Sequence, residues 1–491
     1  MAEGLLCAPA AASPAAADTR IATLVRTGLT PIVVGTALGV GYGNIGGALG
    51  EAAFVTRYHH PSDALLQALA AAMQAGCVIG SLFAGWLADT QGRRRSILLA
   101  LVLVVASSAV LLIPALAPHT DNLAPLFVGR ALLGLGGGLA CTAVPIHVSE
   151  TAPASYRGAV EASFQFGVVL GILIAYALNI AAHDTELGWS LSLAAPLVPA
   201  TLYLMWAARE LVESPRWLAL RGEVARAENE LHRVRTAHDD IAAELAAIVG
   251  ERQSAAGWRA LCAKGRRGTV TAAVTVLALQ VATGIDVITV YAPSIFRRIG
   301  GGGGGDGADE LLYTLLVGVV FVVFVPVAVC IVDRFGRRFL LIAGGIGMTA
   351  SLAVLAAAFG AGAAADAPPA WSAPASVASV LCYVAAFSVS WGPVAWVVPS
   401  ELVPSSLRAK VVAVGTVANW VADYLVVGTF LSLTNAAGDA GAFVVYAAIN
   451  AGALAFVVLC VPETKGLELE ESAASASAEE EDARLHMQRL E

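Results

Sequence analysis

Polar side chains sit in this chain where hydrocarbon does not favour them. Gln165, Gln280 and Asn419 are amides inside long apolar runs, and Asp286 and Asp423 are acids in the same setting. An unpartnered polar group is costly in an apolar surrounding, so each of these positions needs a reason. An amide both donates and accepts, as the hydroxyl groups of a polar solute require, and the indoles of Trp391 and Trp396 offer flat apolar walls. An acid at membrane depth is expected to bind a hydroxyl, carry a proton or pair with a structural cation. Arg130, near the start of the fourth apolar run, is the cation of the set.

A second set of residues is charged and recurs in register. Asp89, Gly92, Arg93 and Arg94 follow the second apolar run, and Asp333, Gly336, Arg337 and Arg338 follow the eighth with the same spacing. Glu150, Pro153 and Arg157 follow the fourth run, and Glu401, Pro404 and Arg408 follow the tenth. Two pairs in register imply an internal duplication, with a solute site between the halves. Acids and bases so placed predict salt bridges across the halves at an inner gate. On that expectation Glu150, Arg157, Glu401 and Arg408 stabilise an outward-open state.

The elements that carry these residues follow from composition. Of 491 residues 57% are hydrophobic and 13% charged, about half the roughly 25% charge of a soluble domain. Apolar runs of about 20 residues recur, as membrane helices require. Twelve are predicted, at 30–50, 64–88, 96–117, 124–147, 158–181, 189–209, 268–297, 311–332, 338–361, 374–399, 409–432 and 440–461. They are too long and too uniform for barrel strands, so an all-α membrane protein is expected. The seven cysteines are scattered without metal-ligand spacing, so no metal and no disulfide framework is indicated. No basic stripe points to nucleic acid, and the start of the chain lacks the layout of a cleaved secretory signal.

Orientation follows from Lys and Arg. If both termini lie in the cytoplasm, only Arg57, Arg297 and Arg298 fall in external loops, and Arg130 lies within a span. That asymmetry matches the excess of positive charge on the cytoplasmic side. The expected organisation is a disordered cytoplasmic N-terminus (1–29), a six-helix half (30–209), a cytoplasmic linker with amphipathic helices (210–267), a second six-helix half (268–461) and an acidic cytoplasmic tail (462–491). The glycine run 300–305 reads as a flexible external linker.

Several motifs resemble the sugar-porter branch of the major facilitator superfamily. They are Gly85 to Asp89 with Gly92, Arg93 and Arg94; Arg130 with Gly134 and Gly136; Glu213, Ser214, Pro215 and Arg216 after span six; and Pro462, Glu463, Thr464 and Lys465 after span twelve. The likeness runs from about Gly39 to Glu470 and extends to plant and algal monosaccharide transporters. It implies a major facilitator fold of twelve helices in two pseudo-symmetric halves, working by alternating access, and a monosaccharide, by expectation a hexose, as solute. Gln165, Gln280, Asp286, Trp391, Trp396 and Asn419 then correspond to positions that contact sugar, and the stretch from Thr283 to Asp286 to a broken span seven. The chain departs from the pattern at Val281, where a second Gln is usual, at Asp286, usually Asn, and at Phe321, often Asn.

Proton-coupled members pair an acid in span one with the span-four arginine, here Arg130. This chain has Gly41 or Gly43 at that place, with Asn44 nearby. Coupling, if present, falls to Arg130, Asp286 and Asp423, and both facilitated diffusion and proton symport stay open. No cofactor is implied beyond a co-transported proton. A polyol or other small polar solute is the alternative cargo, and a non-transporting sugar sensor the alternative role. An enzyme is not expected, since no His and Asp or Ser, His and Asp cluster is visible. A monomer in the plasma membrane, rather than the vacuolar or plastid membrane, completes the expectation.

Overall fold

The computed structural model describes residues 14–464, apart from 118–120, 154–156, 237–238, 251–259, 262, 264–265, 300–307, 365–368 and 404. The acidic tail from 465 onward and the glycine run therefore lie outside the described residues. All regular structure among the described residues is helical. In lipid every backbone group must be satisfied within its own segment, so runs this apolar become helices.

The first half contains Thr27–Gly50, Asp63–Gln91, Arg93–Leu116, Ala124–Thr151, Arg157–Ala182 and Gly188–Glu210 as spans one to six. The second contains Arg267–Ile299, Asp309–Val332, Arg337–Ala363 and Ser372–Pro399 as spans seven to ten, then the 51-residue stretch Lys410–Cys460. At about 1.5 Å per residue that stretch is far longer than the roughly 30 Å of bilayer hydrocarbon. It is broken at Gly438, whose φ of 73° and ψ of 167° leave the helical region. Glu401, just ahead of the stretch, and Glu463, just behind it, both bond to Arg337. Its two ends therefore reach the same side, the chain turns back at Gly438, and the stretch supplies spans eleven and twelve.

One expectation needs correction. The first helix begins at Pro14, so residues 14–29 are helical and not disordered. The segment is rich in alanine, the strongest helix former, and it continues the helix of span one.

Small residues set the packing of the first half. A Cβ on Gly39 would lie 2.0 Å from the Val168 carbonyl oxygen, and one on Gly171 2.2 Å from that of Thr36. Spans one and five thus touch backbone to backbone, as spans two and four do through Gly76, Gly80, Gly134 and Gly138. The linker holds the helices Pro215–Leu220, Val224–Val234 and Ile241–Gly250. Trp217, Leu218 and Ala227 form a small core there with Leu245 and Ile248. Arg235 ties this layer to span four by donating to the Thr151 carbonyl at 2.6 Å while pairing with Glu244.

Candidate functional site

The charged motifs build two copies of one frame. In the first half Gly92 turns the chain with a φ of +95°, and the next helix starts with unpaired N–H groups. Glu213 accepts from the backbone N–H of Arg93 at 2.8 Å and of Arg94 at 3.0 Å. The Arg93 guanidinium grips both oxygens of Glu150, at 2.9 and 3.1 Å, and reaches Asp89 at 3.3 Å. Arg94 caps the end of span six by donating to the Ala208 carbonyl.

The second half repeats this arrangement with the equivalent residues. Glu463 accepts from the N–H groups of Arg337 and Arg338 at 2.9 and 3.2 Å. Arg337 pairs with Glu401 at 3.0 Å, and Arg338 donates to the Val458 carbonyl at the end of span twelve. A Cβ on Gly92 would sit 2.3 Å from the Glu213 carboxylate, and one on Gly336 2.6 Å from that of Glu463. Glycine is needed at each turn for its backbone angle and for the space the carboxylate fills. Arg216 is exposed, and the side chain of Asp333 lies outside the described residues.

The cross-half pairing is expected of an outward-open state; in this structure the frames pair within each half. Glu150 and Glu401 bond to arginines of their own half. Arg157 donates only weakly, to the Ala152 carbonyl at 3.5 Å, and the buried Nε and one terminal nitrogen of Arg408 have no partner. Glu161 lies within electrostatic reach of both Arg157 and Arg408, one from each half. Register in sequence identifies equivalent residues; it does not say which of them touch.

Near the middle of the spans the picture changes. Span seven stops at Ala282 and resumes at Ile285. Its freed Thr283 carbonyl accepts from the Tyr383 hydroxyl at 2.9 Å and from Asn450 at 2.8 Å. Just before the break, Asn419 donates to Gln280 Oε1 at 2.8 Å and to the Leu277 carbonyl at 2.7 Å. The structure thus joins two of the candidate amides, both buried. Gln165 and Trp396 are half-buried. Trp391 is not a wall for a solute: it is fully buried, and its indole N–H donates to the Leu341 carbonyl at 3.0 Å, which packs span ten on span nine.

Just past the break the two acids come together. Asp286 lies against Asp423, and the Tyr42 hydroxyl of span one donates to Asp423 at 3.1 Å. Gln74 of span two donates to the same hydroxyl at 3.4 Å. Tyr42 and Gln74 were not among the sequence candidates, although Gln74 is an amide in an apolar run like those selected. Arg130 is buried and donates to the carbonyls of Gly41 at 2.6 Å and Ala70 at 3.3 Å. Backbone thus replaces the absent acid. Asn44 does not stand in for it, since its amide donates to the Ser192 carbonyl at 2.8 Å.

The halves meet on the side opposite the arginine frames. Gln67 donates to Ser432 at 2.9 Å, Asn435 to Asp63 at 2.8 Å, and Tyr176 to the Thr289 carbonyl at 2.8 Å. Thr289 lies four residues before Pro293, which has no N–H to offer that carbonyl, so the other half supplies the donor. This seam is closed.

Comparison with known proteins places this architecture. The family described as Sugar (and other) transporter matches residues 28–475. The chain belongs to this sugar transporter family. Sugar transport protein 1 of Arabidopsis thaliana is 35% identical over 431 residues, covering 86% of this chain and 80% of that protein. The D-xylose-proton symporter of Escherichia coli is 32% identical over 439 residues, covering 84% and 86%. The inward-open structure of the E. coli xylose transporter aligns with a TM-score of 0.75 at 30% identity, covering 93% of this chain and 99% of that one. As a member of the sugar transporter family the chain is a multi-pass membrane protein.

Proposed function

We propose that the protein carries a monosaccharide across a membrane by alternating access, with the sugar held near the Gln280–Asn419 pair. The observation that carries this reading is the pair itself: two buried amides, bonded across spans seven and eleven, beside the break in span seven. Each amide keeps donor or acceptor capacity for a hydroxyl, and the break lets the outer part of the span move relative to the rest. The match to named sugar carriers supports the same cargo, and a polyol is not favoured. The arginine-rich side is the cytoplasmic one, with both termini there, and the protein works as a plasma-membrane monomer without cofactor. We read it as a carrier and not an enzyme, because its central polar groups are amides and acids bonded between helices.

The test is uptake by purified protein in liposomes, with labelled D-glucose, D-xylose, D-galactose and sorbitol. Saturable uptake of at least one sugar is expected. Uptake of sorbitol alone would move the cargo to polyols, and binding of a sugar without uptake of any would make the protein a sensor.

A further inference from the structure

Asp286 and Asp423 touch near the middle of the protein, and their place relative to the amide pair is fixed by helix geometry. Asp423 follows Asn419 by four residues on the same face of span eleven, about 6 Å further along. Asp286 follows Gln280 across the break in span seven. The two helices that hold the amides therefore also hold the acids, one level closer to the closed seam.

Two carboxylates this close, Asp423 buried and Asp286 half-buried, repel each other strongly. The surroundings offer little direct relief. Span one contributes Tyr42, and span two contributes Gln74 and Cys77. Spans five and ten bring Tyr176 and Tyr383 within reach of Asp286. The one cation facing this cluster among the described residues is Arg130, behind Tyr42 and bonded to the backbone of Gly41. With one proton between the two acids, the pair carries a single negative charge that balances Arg130. Without it, one negative charge is in excess.

We propose that Asp286 and Asp423 form the proton site of transport, sharing one exchangeable proton that Tyr42, bonded to Asp423, screens from water on the seam side when the halves close. This rests on the transport reading above and extends it to coupling. The proton comes from water on the opposite side as an O–H bond forms on one carboxylate oxygen, and leaves to water on the arginine-rich side as that bond breaks. Nothing is oxidised or reduced. Tyr42 belongs to the first half and the acids to the second, so parting the seam removes the tyrosine and wets the pair. Sugar and proton are coupled because the same two helices hold both.

The experiment uses the full-length protein in liposomes with a pH dye trapped inside, and labelled D-xylose and D-glucose as probes. Under a gradient of about one pH unit, one proton per sugar sustains up to about tenfold accumulation. The wild type is expected to accumulate sugar and to acidify the lumen as it does so. Asp423→Asn is expected to lose both while counterflow exchange, which needs no net proton transfer, persists. Asp423→Glu regains part of the accumulation; a purely steric role predicts the reverse, because Asn is closer in size to Asp. Accumulation that survives in the Asp286→Asn, Asp423→Asn double variant overturns the proposal. So does a wild type that exchanges sugar but never accumulates it, which leaves the transport reading standing. A wild type that exchanges neither of these sugars, nor D-galactose, overturns both.

Discussion

The arginine-rich end and the middle of this protein treat its internal repeat differently. At the end, Arg93, Glu150 and Glu213 in one half match Arg337, Glu401 and Glu463 in the other, residue for residue. In the middle the copies have parted. Counting from Arg157 and Arg408, the counterpart of Asn419 is Val168 and that of Asp423 is Ile172. Each half must hold its own helices together, so the frame is kept twice. A solute needs one site, and in the proposed one the polar groups lie on spans seven and eleven.

The largest effect is expected at the frame. Removing one partner of a buried charged network typically costs about 3–5 kcal/mol. Glu213→Ala and Glu463→Ala should each strip the caps from one helix start and lower the melting temperature in detergent by similar amounts. A large loss in one and none in the other would show that the two copies no longer do the same job.

At the middle the prediction is one-sided. Asn419→Ala leaves Gln280 Oε1 without its donor, a change of about 1–3 kcal/mol. Sugar affinity, measured by competition against labelled substrate, should fall about tenfold or more, while melting shifts less than in the Glu213 variant. An unchanged affinity would remove the amide pair from the binding site.

Arg157 and Arg408 sharpen the contrast between conformations. Their nitrogens are poorly partnered here, so Arg157→Ala and Arg408→Ala should leave expression and melting intact. Transport should fall, with a shift toward the state open on the arginine-rich side, read by labelling of cysteines introduced in the cavity. Unchanged transport in both would show that neither arginine serves the gate. The smallest effect belongs to Tyr176→Phe, which deletes one hydrogen bond of the seam, about 0.5–1.5 kcal/mol. Labelling from the opposite side should rise severalfold with no change in folding.

Much of this architecture is legible in the sequence because hydrocarbon is an unforgiving solvent. Apolar length marks the spans, and polar residues such as Gln280 and Asn419 stand out within them. The break in span seven shows in Thr283 and Gly284. The role shared by Glu213 and Glu463 stays hidden, because one is followed by Ser214 and Pro215 and the other by Thr464, and only space puts both over a glycine turn. Tyr42 is hidden for a different reason: a tyrosine in an apolar run is ordinary until Asp423, far along the chain, is seen to accept from it. Trp391 shows the opposite error, since an indole suited to a sugar face is equally suited to packing two helices.

Pro293 leaves a further consequence. The Thr289 carbonyl has no donor within its own helix, so while the seam is closed it relies on Tyr176. When the seam parts, the same movement that withdraws the hydroxyl admits water, which can donate in its place. The contact is exchanged rather than lost, so opening leaves no dry, orphaned carbonyl behind. A seam made of such contacts behaves like a valve seat that is wetted as it lifts: it is held shut by many small bonds, yet no single one of them has to be broken into vacuum.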